Sequence, residues 1–231
     1  MSEIIKTNGL GSLVVISGPS GVGKDTIVNE YIKSHSNAWI SISMTSRDIR
    51  PGEEDGKDYY FVSNEEFEQK IEEGYFLEYA GYVGKYYGTP KEFINEKLKA
   101  GIDVFLVIEI QGAMQIKELI PEAIFIFLLP PSLKALKSRL TKRGTDSKEK
   151  IMERFKTAYR EMNEVTKYNY VVINDEIEST VKKIEAILIS EKCRADRIEE
   201  VFLNTEEEYM HEMLLSDKDM LNKVVEVKED M

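Results

Sequence analysis

An apolar run that breaks into glycines decides the fold of this chain: Leu13-Val14-Val15-Ile16-Ser17-Gly18-Pro19-Ser20-Gly21-Val22-Gly23-Lys24-Asp25-Thr26. The first four residues have the length and the β-branched content of a buried parallel strand. Apolar residues then return at helical spacing, at Ile27, Val28, Tyr31 and Ile32. The glycines therefore lie between a strand and a helix.

A glycine-rich turn in this position is typical of a phosphate-binding loop. Glycines let the backbone point its N–H groups inward, and the next helix adds free N–H groups and the positive end of its dipole. Lys24 supplies a positive charge for the β- and γ-phosphates. A turn without a ligand is the alternative, but strand, glycine spacing, lysine and helix together favour phosphate binding.

The loop departs from the usual pattern G-x-x-x-x-G-K-[ST] at one place. Asp25 follows the lysine, and the hydroxyl residue Thr26 comes one position later. Asp25 either complements the N-terminus of the helix or holds Mg²⁺ through water, and the residues leave both readings open. Direct Mg²⁺ ligands are therefore not assigned, and the ion is expected on the nucleotide phosphates, near Asp25 or Thr26.

Composition narrows the class of protein. The 231 residues are 42% hydrophobic and 32% charged, without an apolar run near the length of a membrane span. No basic-then-apolar leader precedes the first strand, so we expect a soluble, cytoplasmic protein. Cys193 is the single cysteine, and His35 and His211 are the only histidines, which argues against a disulfide or a zinc site. Any metal should be Mg²⁺ brought by a nucleotide.

The net charge of −11 argues against binding to nucleic acid or to an anionic membrane. Much of this charge lies near the end of the chain, because residues 191–231 carry thirteen acidic and six basic side chains. We expect residues 193–231 to form an acidic tail, in which scattered apolar residues permit short helices. A loosely ordered tail and a tail that docks are both left open, as is a homo-oligomer.

Strand and helix patterns alternate along the rest of the chain. Residues 1–11 are expected to be an irregular leader, and strands are predicted at 13–16, 39–44, 59–62, 104–108, 123–129 and 170–173. Capping boxes at Ser63 and at Thr89-Pro90 predict helices to about Glu73 and Ala100. Further helices are predicted at 112–119, 132–142, 148–168 and 177–191, and two aromatic strands at 75–79 and 82–87, separated by Gly81. This order predicts an α/β fold with a parallel sheet flanked by helices.

Two further features suggest ligand contacts. Glu109 follows a buried strand, at the edge where α/β sheets hold their ligands. Arg47 and Arg50 lie in a polar, glycine-containing loop that suits a second anion, although the residues alone favour a solvated charged loop.

Several motifs together resemble the guanylate kinase family over roughly residues 12–190. The phosphate-binding loop is similar to that of the family, and the run Thr45-Ser46-Arg47-Asp48-Ile49-Arg50-Pro51-Gly52-Glu53-Glu54-Asp55-Gly56-Lys57-Asp58-Tyr59-Tyr60-Phe61 resembles its GMP-binding motif. Tyr86-Tyr87-Gly88-Thr89, Glu109-Ile110-Gln111-Gly112 and Arg143-Gly144 also match in kind and in order.

The resemblance implies a P-loop NTPase-type fold and the reaction of ATP with GMP to give ADP and GDP. It implies one domain over residues 1–192, with a small mixed α/β GMP-binding lobe near 43–90 and a helical lid near 132–160. By the same resemblance, Ser43, Glu78 and Thr89 read guanine, and the GMP phosphate is held by Arg47, Arg50, Tyr59 and Tyr87. Lys24, Arg47, Arg143 and Arg154 are the implied catalytic residues; ATP is implied at residues 18–26 and at Asn174, and Glu109 at the GMP site.

Two positions of the chain depart from the family's pattern, and three functions remain as interpretations. Asp25 stands where the family more often has a small residue, and Val107 stands where many members have a carboxylate, which leaves Glu109 alone there.

The leading interpretation is an ATP-dependent kinase for GMP or dGMP with Mg²⁺. A non-catalytic interaction module is a second interpretation, against which Lys24 and the glycine spacing argue. A P-loop kinase for another nucleotide or a sugar phosphate is a third, against which Glu78 argues.

Overall fold

A computed structural model describes residues 5–7, 9–50, 52–82, 84–142 and 148–201 of the chain. The chain forms two compact units, one of residues 10–192 and a smaller one of residues 1–9 and 193–231. Within the described ranges, no helix has both the length and the apolar character needed to cross a membrane.

The strands and helices follow one another in the predicted alternation. The strands are β1 (Ile5–Thr7), β2 (Leu13–Ser17), β3 (Ala38–Ile40), β4 (Met44–Thr45), β5 (Tyr60–Phe61), β6 (Phe76–Tyr82), β7 (Lys85–Pro90), β8 (Asp103–Val107), β9 (Ile124–Leu129), β10 (Tyr170–Ile173) and β11 (Ile198–Val201). The α-helices are α1 (Lys24–Ser34), α2 (Asn64–Glu72), α3 (Glu92–Lys99), α4 (Ile110–Leu119), α5 (Leu133–Lys142), α6 (Lys148–Met162) and α7 (Ile177–Lys192). Short 3₁₀ helices span Asn163–Lys167 and Ala195–Arg197.

The core of the larger unit is a five-stranded parallel sheet in the order β10-β9-β2-β8-β3. All five residues of β2 are buried, as expected for a strand covered on both faces. On one face, side chains of α1 and α7 pack against the sheet, and on the other face side chains of α3 and α4 do so. The predicted α/β fold with a flanked parallel sheet is therefore confirmed, and it brings the ends of β2, β8 and β9 to one edge.

A second sheet of four strands, in the order β5-β4-β7-β6, forms a small lobe with α2. Its core is built around Met44, Phe67 and Phe76, and the two phenylalanine rings stack with centroids 4.4 Å apart. The predicted capping box of α2 is confirmed, since the Ser63 side chain accepts a hydrogen bond from the Glu66 N–H at 3.0 Å. Helices α5 and α6 form a separate helical pair through Leu136, Leu140 and Ala158.

Three expected boundaries are wrong in the region of this lobe. The expected strand 39–44 is divided, because β3 belongs to the central sheet and β4 to the second sheet. The aromatic strands do not separate at Gly81, because β6 continues to Tyr82 and the described turn residue Gly84 has a φ of +72°. The second capping box is also wrong: Thr89 and Pro90 end β7, and α3 begins only at Glu92.

The remaining differences lie outside the lobe. Helix α4 begins at Ile110, two residues before the expected start, and α6 ends at Met162, where a 3₁₀ helix replaces its last predicted turn. The expected irregular leader contains β1, which pairs antiparallel with β11 in the smaller unit. The tail beyond Val201 lies outside the described residues.

Candidate active site

The loop between β2 and α1 has the backbone geometry of an anion-binding loop. Gly23, which precedes α1, has a φ of +100°, a left-handed conformation that favours glycine. Gly18 lies so close to β9 that an added Cβ would be 2.4 Å from the Leu128 carbonyl oxygen. The loop therefore cannot adopt this path without glycine at these two positions.

Lys24 lies inside this loop with 9% of its surface exposed. Its ammonium donates a hydrogen bond to the Gly18 carbonyl oxygen at 2.7 Å and lies 3.5 Å from a carboxylate oxygen of Glu109. Glu109 occupies the N-cap position of α4 without a capping hydrogen bond from its side chain, and it is exposed. The loop thus holds one buried positive charge, with a solvent-facing carboxylate beside it.

The other predicted residues near the loop differ in their exposure. Asp25 and Thr26 lie in the first turn of α1, and both are exposed. Val107 ends β8 half-buried and packs against the core on the side of α1. A carboxylate in that orientation would face apolar neighbours, so Glu109 is the carboxylate that this strand end offers to the loop.

Two residues from distant elements hold the loop backbone. Asn174, which follows β10, is 5% exposed and donates from its side-chain amide to the Val22 carbonyl oxygen at 2.7 Å. Arg139 on α5 donates to the same oxygen at 2.9 Å and to the Asn174 carbonyl oxygen at 3.0 Å. Asn174 was expected at the adenine end of an ATP site, and its amide is here bound to the loop. Arg139 was not predicted as a site residue; its only sequence signal is its position in the arginine-rich segment before residue 144.

Helix α6 contacts the loop through its polar face. Arg154 donates to the Ser20 hydroxyl oxygen at 3.0 Å, and the Ser20 N–H donates to a carboxylate oxygen of Glu161 at 3.2 Å. Burial, and then the charge of Glu109, raises the pKa of Glu161. The structure thus places Arg154 at the loop, and Glu161 is a contact that the sequence did not reveal. Arg143 and residues 144–147, within the expected lid, lie outside the described residues.

A second group of polar residues lies in the small lobe, around Arg47. Arg47 is 9% exposed, and its guanidinium forms two hydrogen bonds of 2.7 Å to the carboxylate of Glu53. This pairing raises the pKa of Arg47 and lowers the pKa of Glu53. Glu53 also accepts from the Arg50 N–H at 2.9 Å. Glu53 was not predicted as a site residue, although it lies within the motif quoted above.

Aromatic residues surround the same arginine. The Arg47 guanidinium lies 4.9 Å from the ring centroid of Tyr59, and the Tyr59 and Tyr87 rings meet edge to face at 6.1 Å. Burial, and then the charge of Asp25, raises the pKa of Tyr59 to about 12, so its hydroxyl keeps its proton. The hydroxyls of both tyrosines can therefore donate to an anion, as can the exposed guanidinium of Arg50.

A buried carboxylate lies on β6 of the same lobe. Glu78 on β6 is 5% exposed, and the Thr89 hydroxyl on β7 donates to it at 2.5 Å. Burial raises the pKa of Glu78 to about 7, and the bond from Thr89 opposes part of this rise. Thr89 is fully buried, whereas Ser43, which precedes β4, is half-buried. The predicted pair Glu78 and Thr89 is thus brought together by the β6–β7 hairpin.

The arrangement can bind two anionic ligands and hold them next to each other. The phosphate-binding loop and Arg154 offer positive charge and N–H groups to one ligand. Arg47, Arg50 and the two tyrosines offer donors to the other, and the buried carboxylate can accept hydrogen bonds from a polar heterocycle. The charges of Asp25 and Glu109 both help to raise the pKa of Tyr59, so charge beside the phosphate-binding loop acts on the residues around Arg47.

Comparisons with known proteins agree with this arrangement. A family model described as guanylate kinase matches residues 11–191. A guanylate kinase of Clostridium tetani is 54% identical over 204 residues, which cover 88% of this chain and 98% of that protein. A guanylate kinase of Caldanaerobacter subterraneus subsp. tengcongensis shows the same identity and the same coverage. The crystal structure of guanylate kinase from Anaplasma phagocytophilum matches with a TM-score of 0.70 at 33% identity, over 85% of this chain and 93% of that one. This chain belongs to the guanylate kinase family.

Proposed function

We propose that this protein transfers the γ-phosphoryl group of ATP to GMP or dGMP, giving ADP and the nucleoside diphosphate. The observation that carries the proposal is a pair of sites in one unit: a glycine loop around the buried Lys24, and the buried Glu78–Thr89 pair in the small lobe. The first suits a polyphosphate and the second suits a base that donates two hydrogen bonds. A nucleoside monophosphate kinase needs both.

The transfer itself needs charge stabilisation rather than a nucleophile from the protein. The bond between the γ-phosphorus and the β–γ bridging oxygen of ATP breaks, that oxygen leaves with ADP, and a new bond forms to a phosphate oxygen of GMP, while negative charge spreads over the transferred oxygens. The Lys24 ammonium and the loop N–H groups stabilise that charge. Arg154, already at the loop, and Arg143 add positive charge as the helical pair closes and excludes water.

Arg47, Arg50, Tyr59 and Tyr87 hold the phosphate of GMP in this proposal. The contacts to Glu53 and to the Asp48 carbonyl use three of the five N–H donors of Arg47. Glu53 thereby fixes the plane of the guanidinium, and two N–H donors are left for the phosphate. An arginine held in this way loses little rotamer freedom when the phosphate binds.

Guanine selectivity follows from the buried carboxylate. Guanine presents N1–H and an exocyclic amine side by side, and an ionised Glu78 can accept from both, while the Ser43 and Thr89 hydroxyls adjust to the neighbouring edges. Adenine presents a lone pair at N1, which would face the carboxylate and leave it desolvated without a partner. Sites built on such bonds reject the wrong analogue by roughly 10⁴-fold or more.

Mg²⁺ accompanies ATP in this proposal. Described residues contain no cluster of three or more metal-ligating side chains, so most of the ligands would be phosphate and water oxygens, as Mg²⁺ prefers. Glu109 beside Lys24, with Asp25 and Thr26 in the first turn of α1, supplies the oxygen ligands that would fit the ion. When bound, the ion neutralises charge on the β- and γ-phosphates.

Because both substrates are nucleotides of the cytoplasm, we propose that the protein is located in the cytoplasm.

The proposal is tested by an assay that couples ADP release to GMP, dGMP, AMP, CMP and a sugar phosphate as acceptors. We expect turnover with GMP and dGMP and hardly any with the other three. Lys24→Ala should lower kcat by at least about 10²-fold, the scale for loss of one electrostatic stabiliser. The matched control is Lys33→Ala, an exposed lysine of the same helix, which should behave as the parent. Equal kcat/KM for GMP and AMP would contradict the guanine assignment, and no turnover at all would favour the interaction module.

A further inference from the structure

Gly112, in the first turn of α4, lies against the carboxylate of Glu78. A Cβ added at position 112 would be 2.4 Å from the Glu78 Oε2 atom, and the three nearest heavy atoms all belong to Glu78. Gly112 is buried, and its φ is not in the left-handed region, so its backbone conformation does not call for glycine. What requires glycine here is the space that the carboxylate occupies.

Gln115, one turn further along the same helix face, holds the strand that carries Glu78. Its side-chain amide donates to the Tyr79 carbonyl oxygen at 2.9 Å and accepts from the Tyr79 N–H at 3.4 Å. A side-chain amide that bonds both backbone groups of one residue fixes that residue along the strand. The position of the neighbouring Glu78 is thereby fixed as well, and its side chain stays next to Thr89.

We propose that α4 positions the carboxylate that reads guanine, with Gly112 providing its space and Gln115 holding its strand. The inference rests on the proposed guanine site. The same first turn begins beside Glu109, which lies 3.5 Å from Lys24, so one rigid element spans from the phosphate-binding loop to the base-reading carboxylate. Gly112 and Gln115 are positioning residues: they act on GMP through Glu78.

The decisive variant is Gly112→Ala. Alanine favours helix more than glycine does, so the helix itself should not be weakened. The added methyl group conflicts with the far end of a flexible side chain, so Glu78 must turn away and lose its bond from Thr89. We expect the KM for GMP to rise by about tenfold or more, with kcat and the KM for ATP within about threefold of the parent. The matched control is Gly81→Ala in the same lobe, where an added Cβ meets nothing within 4 Å.

A rescue variant distinguishes positioning from a general packing defect. Glu78→Asp shortens the side chain by one methylene, about 1.5 Å, and makes room for the methyl group. The KM for GMP of the double variant Gly112→Ala/Glu78→Asp should therefore be lower than the value expected if the effects of the two single variants were additive. If Gly112→Ala fails to fold, recovery of folding in the double variant supports the inference, and a double variant that also fails to fold overturns it.

Glu78→Gln separates this inference from the guanine assignment. A Glu78→Gln variant with a raised KM for GMP, beside a Gly112→Ala variant within twofold of the parent, would overturn the role of Gly112 and leave the guanine site standing. If neither variant changes the KM for GMP, the guanine site itself is overturned, and this inference with it. A Gly81→Ala control that is impaired as strongly as Gly112→Ala would also overturn it.

Discussion

At the scale of single residues, Glu78 shows how selectivity acts against stability. The carboxyl group is buried and has one hydrogen-bond donor, Thr89, which is too little to offset its desolvation, and burial therefore raises its pKa to about 7. In the free protein near neutral pH, Glu78 is a mixture of charged and neutral forms. Guanine would supply the two missing donors. Binding of GMP and ionisation of Glu78 are therefore linked.

The first prediction concerns the pH dependence of GMP binding. Only the ionised carboxylate accepts from N1–H and the amine, so below its pKa the free protein must release a proton before GMP binds. We expect the KM for GMP to be constant above about pH 8 and to rise up to tenfold per pH unit below about pH 6. Glu78→Gln should remove this dependence, and the KM for ATP serves as the internal control. A flat profile for the parent between pH 5.5 and 8 would show that Glu78 does not read the base.

A second prediction follows for stability. Because the folded pKa, about 7, lies above the ordinary value of 4.5, the folded state binds the proton more tightly than the unfolded state does. The associated stability is fully present below about pH 4.5 and is lost as the pH rises through 7. Glu78→Gln, which keeps the size and removes the charge, should therefore raise the free energy of unfolding by about 1–3 kcal/mol at pH 8 and much less at pH 5. Urea titrations at the two pH values measure it, and an equal change at both would contradict the linkage.

At the scale of elements, the sequence predicted what local patterns decide. The run from Leu13 to Thr26 contains its own strand, turn and helix signals, and the structure has all three in place. Thr89-Pro90-Lys91-Glu92 carries an equally good local signal for a helix start, yet Thr89 belongs to β7. Its hydroxyl donates to Glu78 on the neighbouring strand, and this tertiary bond takes the place of the predicted cap.

Contacts between distant elements explain most of what the sequence did not reveal. Arg139 donates to the Val22 carbonyl oxygen, although the two residues are 117 positions apart in the sequence. Gly112 on α4 lies against Glu78 on β6. Glu53 differs, because it lies only six residues after Arg47, and the spacing of the loop does not indicate that the chain folds back there. Residue types and motif order predicted which residues form the proposed binding sites, whereas packing determines which residues hold those groups in position.

The third prediction concerns α6 and the phosphate-binding loop. The Glu161 carboxylate accepts a hydrogen bond from the Ser20 N–H, a backbone donor of the kind that binds phosphates, and its negative charge would repel ATP. Glu161→Gln should therefore lower the KM for ATP by about two- to fivefold, the scale of a partly exposed charge interaction, without changing the KM for GMP. Glu153→Gln, on an exposed side of the same helix, is the control. A raised KM for ATP would mean that Glu161 helps to bind the nucleotide.

The fourth prediction divides the arginines by element. Arg50, in the small lobe, acts on bound GMP, so Arg50→Ala should raise the KM for GMP more than it lowers kcat. Arg154 on α6 acts mainly in the transition state, so Arg154→Ala should lower kcat by about tenfold or more with the KM for GMP within about threefold. The exposed Arg160 of α6 provides the control variant. Effects of both variants on KM alone would refute the division. Arg47 is a poorer probe, because its loss would leave Glu53 without its partner.

At the scale of the whole molecule, charge is distributed unevenly between the catalytic unit and the chain end. The larger unit, residues 10–192, nearly coincides with the segment 11–191 that the family model matches. Residues 202–231 carry nine acidic and three basic side chains, a net −6 of the −11 of the protein. Both proposed substrates are anions, so this charge opposes their approach wherever it is not screened.

The last prediction tests that effect with a chain ended at Val201, which keeps every described strand and helix. At an ionic strength of about 0.01 M, where the screening length is about 30 Å, we expect the KM values for ATP and GMP to fall by about two- to threefold relative to the full chain. At about 0.15 M, where that length is about 8 Å, the two proteins should have equal KM values, and kcat should be equal at both salt concentrations. A full-length variant with Glu206, Glu207 and Glu208 changed to Gln should show a smaller effect of the same sign, because it removes part of the charge and keeps the chain. A change in kcat or in the thermal midpoint that persists at 0.15 M would instead show that these residues act by contact rather than by charge.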